Sequence, residues 1–180
     1  MEYSPAISIP RLETRRLRLR EPRMADFDAF ARNLQDPLAT KFVTFADRRD
    51  AWRRVGLAAG AWLLQGAGWW SVESRETGEL VGSVGAFFRE TWPEIELGWT
   101  IFRLFWGSGF ATEAASETVR YAFEVRKERR VTALVDAENL PSVRVAEHLG
   151  MRHEADVDLW GAPVRRYARA SESSAIDSST

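Results

Sequence analysis

The chain has no cysteine, so it forms no disulfide and offers neither a thiol nucleophile nor a thiolate ligand. It has two histidines, His148 and His153, without the spacing of a zinc site, and no metal is expected. Charge of one sign is also lacking: 25 Lys and Arg stand against 26 Asp and Glu, a formal net charge of -1. That balance gives no positive field to attract nucleic acid or an anionic membrane, and neither partner is expected. No apolar run reaches the roughly 18 residues of a membrane-spanning helix. The opening MEYSPAISIP lacks the basic and apolar parts of an export signal, so cytoplasmic residence is the expectation.

Several catalytic motifs are missing as well. There is no G-x-x-x-x-G-K-[ST] loop, and Thr112 stands where a dinucleotide fingerprint needs its third glycine, which removes support for nucleotide hydrolysis and hydride transfer. Without a G-x-S-x-G elbow or a nearby histidine base, no serine reads as an activated nucleophile. What is present is an ordinary globular composition, 45% hydrophobic and 28% charged, in 180 residues. Such a length supports one core, expected as a single domain over residues 1–170 with a disordered, Ser- and Asp-containing tail over 171–180. Eight tryptophans supply large apolar area to that core.

Hydrophobic periodicity predicts the elements. Leu17 and Leu19 alternate with Arg16, Arg18 and Arg20, a half-buried strand with an arginine-rich outer face. Helices are expected over 25–35 and 47–65, the latter ended by Gly66 and Gly68. Residues 69–76 and 80–89 flank Thr77-Gly78 as a hairpin, and 94–102 forms a further strand. On that strand Ile95, Leu97, Trp99 and Ile101 share one face, and Glu94, Glu96, Gly98 and Thr100 the other. A helix carrying the small-residue stripe Ala111, Ala114, Ala115, Thr118 and Ala122 follows. A strand at 131–135, a short helix at 139–149 opened by Asn139, and a last hairpin of 151–160 and 164–170 around Gly161-Ala162-Pro163 complete the chain. The fold class is α/β (α+β), a mixed sheet of about seven strands with helices on both faces.

The segment Trp106-Gly107-Ser108-Gly109-Phe110-Ala111-Thr112-Glu113-Ala114 lies between a strand and a helix. Glycines there permit a sharp turn and close backbone approach, and the free N–H groups of a helix start attract an anion such as a pyrophosphate. Alone, G-x-G is equally a plain helix-entry turn. Together with Leu12-Glu13-Thr14-Arg15-Arg16-Leu17-Arg18-Leu19-Arg20, Glu96-Leu97-Gly98-Trp99-Thr100-Ile101, and Asn139-Leu140-Pro141-Ser142 leading to Glu147-His148-Leu149-Gly150-Met151, it resembles the GNAT superfamily of N-acetyltransferases. The similarity is to the branch of the bacterial ribosomal-protein N-terminal acetyltransferases, and the blocks cover residues 9 to 169.

That resemblance implies a splayed pair of central strands and acetyl-CoA as co-substrate. It places the pantetheine arm along Trp99, Thr100 and Ile101, and the pyrophosphate on the amides of Gly107, Ser108, Gly109, Phe110, Ala111 and Thr112. Asn139 matches a ligand of the pantetheine arm, while also reading as a helix cap. Glu96 matches a recurrent glutamate and is the first candidate for the base that deprotonates an amine, with Glu94 as substitute. Ser142 matches the serine near the sulfur and is the candidate proton donor to the thiolate.

Two departures stand out: Leu104 occupies a position where the family often has Gln or Arg, with Arg103 one place off, and Ala146 stands where many members carry a tyrosine. The implied acceptor is a primary amine, on a protein N-terminus or a small molecule, approached past Phe42, Phe45, Trp62, Trp92 and Trp160, all equally readable as core. A monomer or homodimer is expected. A non-catalytic acyl-CoA-binding module is the competing reading.

Overall fold

The computed structural model describes residues 8–43, 46–90 and 92–172. Two short strands, β1 (Leu12–Glu13) and β2 (Leu17–Arg20), lead through a 3-10 turn (Met24–Asp26) into helices α1 (Phe27–Leu34) and α2 (Arg48–Gln65). Then come β3 (Gly68–Ser74), β4 (Leu80–Phe87), β5 (Ile95–Ile101), α3 (Phe110–Arg120), β6 (Arg130–Val135), α4 (Leu140–His148), β7 (Arg152–Leu159) and β8 (Ala162–Ala170). The strands form one sheet in the order β1-β2-β3-β4-β5-β6-β8-β7, antiparallel except for β5 and β6. A right-handed crossover helix is the standard way to make two neighbouring strands parallel, and α3 fills that place.

Expectation and structure differ at three points. Eight strands are present rather than seven, because Leu12 folds back opposite Leu19 and adds a two-residue edge. Arg20 is not on a solvated face: it is 5% exposed, with its guanidinium on the Asp26 carboxylate at 2.8 and 2.9 Å and on Glu73 at 2.7 Å. Finally, the last hairpin turns at Trp160-Gly161 alone, with φ of 54° and 86°, the two left-handed residues of a tight two-residue turn. Ala162 and Pro163 belong to β8, whose pairing with β6 reaches only Arg165, so Pro163 removes no ladder bond on that side. The tail expected beyond residue 170 lies, from 173 on, outside the described residues.

The core sits between the sheet and α3 with α4. Ala114, Ala115 and Ala122 are fully buried there, and their small side chains bring α3 close to Ile95 and Leu97 of β5. Trp70 is fully buried, edge-on to Trp62 and Tyr121, with its indole N–H donated to the Pro10 carbonyl at 2.7 Å. α3 ends in one wider turn, Tyr121–Val125, which sets Tyr121 against those tryptophans. Each such ring removes about 150 to 250 Å2 from water, so this cluster ties α2 and the end of α3 to β3.

Candidate active site

After β5 the chain makes a 3-10 turn (Arg103–Phe105), passes Trp106-Gly107-Ser108-Gly109 and enters α3 at Phe110. Gly107 and Gly109 have φ of 78° and 77°, a region that favours glycine. A side chain at Gly107 would meet nothing within 4 Å, so conformation and not crowding demands glycine there. Gly107, Ser108 and Gly109 are exposed, and Phe110, Ala111 and Thr112 half-buried. The loop is fastened at both ends. Trp106 donates its indole N–H to the Ile101 carbonyl at 2.7 Å. Glu113 accepts from the Thr14 hydroxyl at 2.6 Å, the Arg16 amide at 2.9 Å and Arg16 Nε at 2.6 Å. Burial pushes the Glu113 carboxyl up, but these bonds outweigh it and hold the group below the ordinary glutamate range.

β5 and β6 are in register only at Ile95 with Val131 and Glu96 with Thr132. Beyond that point β5 runs on to Ile101 and β6 to Val135 without pairing, so a gap opens between them where Trp99, Thr100 and Ile101 lie. An unpaired strand edge is a template for an extended, hydrogen-bonding guest. Across the gap α4 begins. Asn139 Oδ1 accepts from the Ser142 amide at 3.2 Å as a helix cap, and Trp99 donates its indole N–H to Ser142 Oγ at 3.3 Å. Fold geometry thus brings Trp99 to the turn that carries Asn139 and Ser142, the latter 43 residues away in sequence. Ala146, two turns into the same helix, is fully buried in the core.

Glu96 lies on the opposite face of β5 and is 5% exposed. Both its oxygens are held by Arg89, from Nη2 at 2.7 Å and also from Nε. Burial pushes the Glu96 carboxyl up, and the Arg89 guanidinium only partly offsets this. Glu94 lies outside the strand, paired with Arg130 at 3.0 Å, a guanidinium it shares with Glu154. The floor beside Glu96 is the Trp69 indole, which lies across β4 and β5. A side-chain carbon at Gly85 would come within 2.7 Å of that ring, and one at Gly98 within 2.5 Å. Phe87 stacks on Trp69 with centroids 5.2 Å apart.

The expected acceptor-lining residues scatter. Trp62 is core, 4% exposed, with its indole N–H on the Trp69 carbonyl at 2.9 Å. Trp92 packs under the Arg166 guanidinium, and Phe42 beside Lys41. Phe45 lies outside the described residues. Trp160 is 86% exposed with its ring 5.1 Å from the Arg89 guanidinium. Arg103 does not reach the glycine loop: its Nε lies 2.6 Å from Asp36. Sequence reasoning did not single out Arg89, Trp69, Gly85 or Glu113. The readable signal was glycine inside two strands, which marks a close approach by another group. Among the described residues no cluster of three or more His, Asp or Glu side chains is arranged to hold a metal ion.

Comparison with known proteins matches residues 16–152 to the family model described as an acetyltransferase (GNAT) domain. The chain is 30% identical over 147 residues to the uncharacterized N-acetyltransferase p20 of Bacillus licheniformis, covering 79% of this chain and 83% of that protein. It is 35% identical over 108 residues to the uncharacterized protein YkkB of Bacillus subtilis (strain 168), covering 59% of this chain. That match spans 63% of YkkB, under two thirds of its length. Among solved structures, an acetyltransferase from Agrobacterium tumefaciens str. C58 superposes with a TM-score of 0.84 at 29% identity, covering 95% of this chain and all of that one. The ribosomal L7/L12 alpha-N-protein acetyltransferase RimL, solved with coenzyme A, superposes with a TM-score of 0.73 at 15% identity over 87% of this chain and 95% of its own. At that identity it shows likeness of fold alone.

Proposed function

The chain belongs to the GNAT acetyltransferase family, and from that membership we propose that it carries the acetyl group of acetyl-CoA to a primary amine by direct attack, with no covalent enzyme intermediate. Acetyl-CoA is the family's donor and the co-substrate here. One catalytic unit over residues 1–170 performs the reaction. The pyrophosphate lies on the amides from Gly107 to Thr112, where left-handed glycines and a helix start turn N–H groups outward. The pantetheine arm enters the gap beside Trp99, Thr100 and Ile101 and takes up the strand edge that β6 leaves unpaired, with Asn139 at its side.

The chemistry divides between the two faces of β5. An amine is mostly protonated at neutral pH and cannot attack until it loses a proton. Glu96 takes that proton; a carboxyl pushed up by burial is a better base than an ordinary one. The nitrogen then forms a bond to the thioester carbonyl carbon, and the tetrahedral adduct collapses with cleavage of the carbon–sulfur bond. Ser142 gives its hydroxyl proton to the departing thiolate and regains one through solvent, to which the nitrogen of the adduct releases its second proton as the amide forms. Trp99 supports this by donating to Ser142 Oγ, which leaves the serine proton free for sulfur and stabilises the developing negative oxygen.

The observation that carries this reading is the opening of the sheet after Glu96, flanked by the serine on one side and the buried carboxylate on the other. A panel of amines, from peptides with free α-amines to small aliphatic and aromatic amines, mixed with acetyl-CoA and followed by free CoA release, tests it. Turnover on one class, lost in Glu96→Gln with CoA affinity kept, is expected. CoA binding with no turnover across the panel contradicts it.

A further inference from the structure

Arg89 stands between Glu96 and any amine, and its surroundings explain why. The guanidinium reaches both oxygens of a carboxylate that is 5% exposed, and its own side chain is 22% exposed. Its carbon lies 5.6 Å from the Phe87 ring centroid and 5.1 Å from that of Trp160. A buried carboxylate whose bound guanidinium lies within 6 Å of two aromatic rings is an arrangement that recognises an organic cation, through an ion pair and two cation–π contacts. The wall nearest solvent is itself unusual. Trp160 holds a left-handed φ of 54°, uncommon for a bulky residue, and is 86% exposed at the tip of a two-residue turn. A strained, exposed tryptophan contributes little to the core; what it does touch is Arg89.

We propose that the Arg89 guanidinium is a resident stand-in for the acceptor's ammonium group: a cationic primary amine docks on Glu96 between the Phe87 and Trp160 rings by displacing it. The inference rests on the acetyltransferase reading for what happens next, but not for the cation site itself. Displacement keeps Glu96 paired with a positive group throughout, so no uncompensated charge is ever buried. It also makes proton transfer follow docking, because the amine meets the carboxylate only once Arg89 has left. Arg89 is then a positioning residue that sets acceptor affinity, since the apparent affinity for an amine falls by the fraction of molecules in which the guanidinium is withdrawn. Anionic or neutral acceptors cannot replace a guanidinium on a carboxylate and are excluded.

The test uses Arg89→Ala with ethylguanidinium as the probe, at millimolar concentration. The variant should bind the best amine of the panel with a KM about tenfold lower than wild type while kcat changes by less than about twofold. Ethylguanidinium should inhibit it competitively against the amine and raise its melting temperature, each at about tenfold lower concentration than in wild type, where the probe must first displace Arg89. If Arg89 instead orients Glu96 for catalysis, the probe restores a lost kcat, and that opposite sign overturns the proposal. A raised KM, or no effect of the probe on melting, overturns it as well. Should Arg89→Ala not fold, Arg89→Gln, which retains the stem and a donor without the charge, must show the same fall in KM. If no amine is turned over by wild type although CoA binds, the acetyltransferase reading fails, and the melting shift alone decides whether a cation site exists.

Discussion

The two faces of β5 are built on different physical principles. On the face toward α4, Trp99 and Ser142 meet through one neutral hydrogen bond of 3.3 Å beside a gap in the sheet, and Asn139 caps the helix that presents the serine. On the other face, Glu96 is nearly inaccessible and bound to a guanidinium at both oxygens. One side is open and weakly tied, with an unpaired strand edge; the other is closed by an ion pair. The contrast teaches that a single strand can carry two unlike environments because alternate residues face opposite ways, and under the proposed reaction it would serve one substrate on each face.

The sharpest break of this comparison is Glu96→Gln. Turnover should fall by about 100- to 10,000-fold, the usual range for a general base, while calorimetric affinity for CoA stays within about twofold. A parallel loss of CoA affinity would mean the two faces are not separable. Next in size is Asp26→Asn, remote from both faces, which leaves Arg20 with one carboxylate fewer in a buried cluster that also includes Glu73 and Ser71. Denaturant unfolding should show a loss of about 3 kcal/mol, with the KM for amine unchanged. Burial pushes the Asp26 carboxyl up, but bonds from Arg20, Ser71 and the Arg23 amide outweigh it, so its folded pKa lies below 3.8. Its stabilisation is therefore complete above the ordinary aspartate value and is lost as pH falls through the folded one. The variant's stability should accordingly be flatter than wild type in that acidic window.

Ser142→Ala tests the open face. It should lower kcat about 10- to 100-fold and leave the KM for amine alone; a change confined to the amine KM would place Ser142 on the wrong side of β5. Gly98→Ala then asks whether the Trp69 floor matters to the acceptor. A methyl there would sit 2.5 Å from the indole, so the ring must shift, costing about 1 to 3 kcal/mol in stability and raising the KM for amine with little change in CoA affinity. Smallest is the pH dependence of kcat/KM. Because burial raises Glu96, its acid limb should lie above the ordinary glutamate value of 4.5, with activity lost as pH falls through that limb. The limb should be absent in Glu96→Gln.

Much of the open face was legible in the sequence; of the closed face, Glu96 and its side of the strand were, and its partner Arg89 was not. Gly107 and Gly109 flag their loop because left-handed backbone has few other occupants, and Asn139 with Ser142 reads as a helix start from spacing alone. These are local patterns, fixed within a few residues. The alternation of Ile95, Leu97 and Trp99 with Glu96 and Gly98 likewise sets the two faces of β5. What could not be read is which distant charge meets which. Arg89 joins Glu96 across the connection from β4 to β5, and Arg20 leaves the solvated face its alternation suggested because Asp26 and Glu73 converge on it from a turn and a neighbouring strand. Likewise Ala162 and Pro163 look like turn residues, yet Trp160 takes the left-handed position, a choice that local propensity opposes.

Hydrogen exchange of the backbone amides with and without CoA tests the central claim most directly. The account predicts slowed exchange at Gly107 to Thr112 and at Trp99 to Ile101 together, with the amides of α2 unaffected. Unchanged exchange at the glycine loop and along β5 at saturating CoA, or protection confined to another part of the chain, would contradict it.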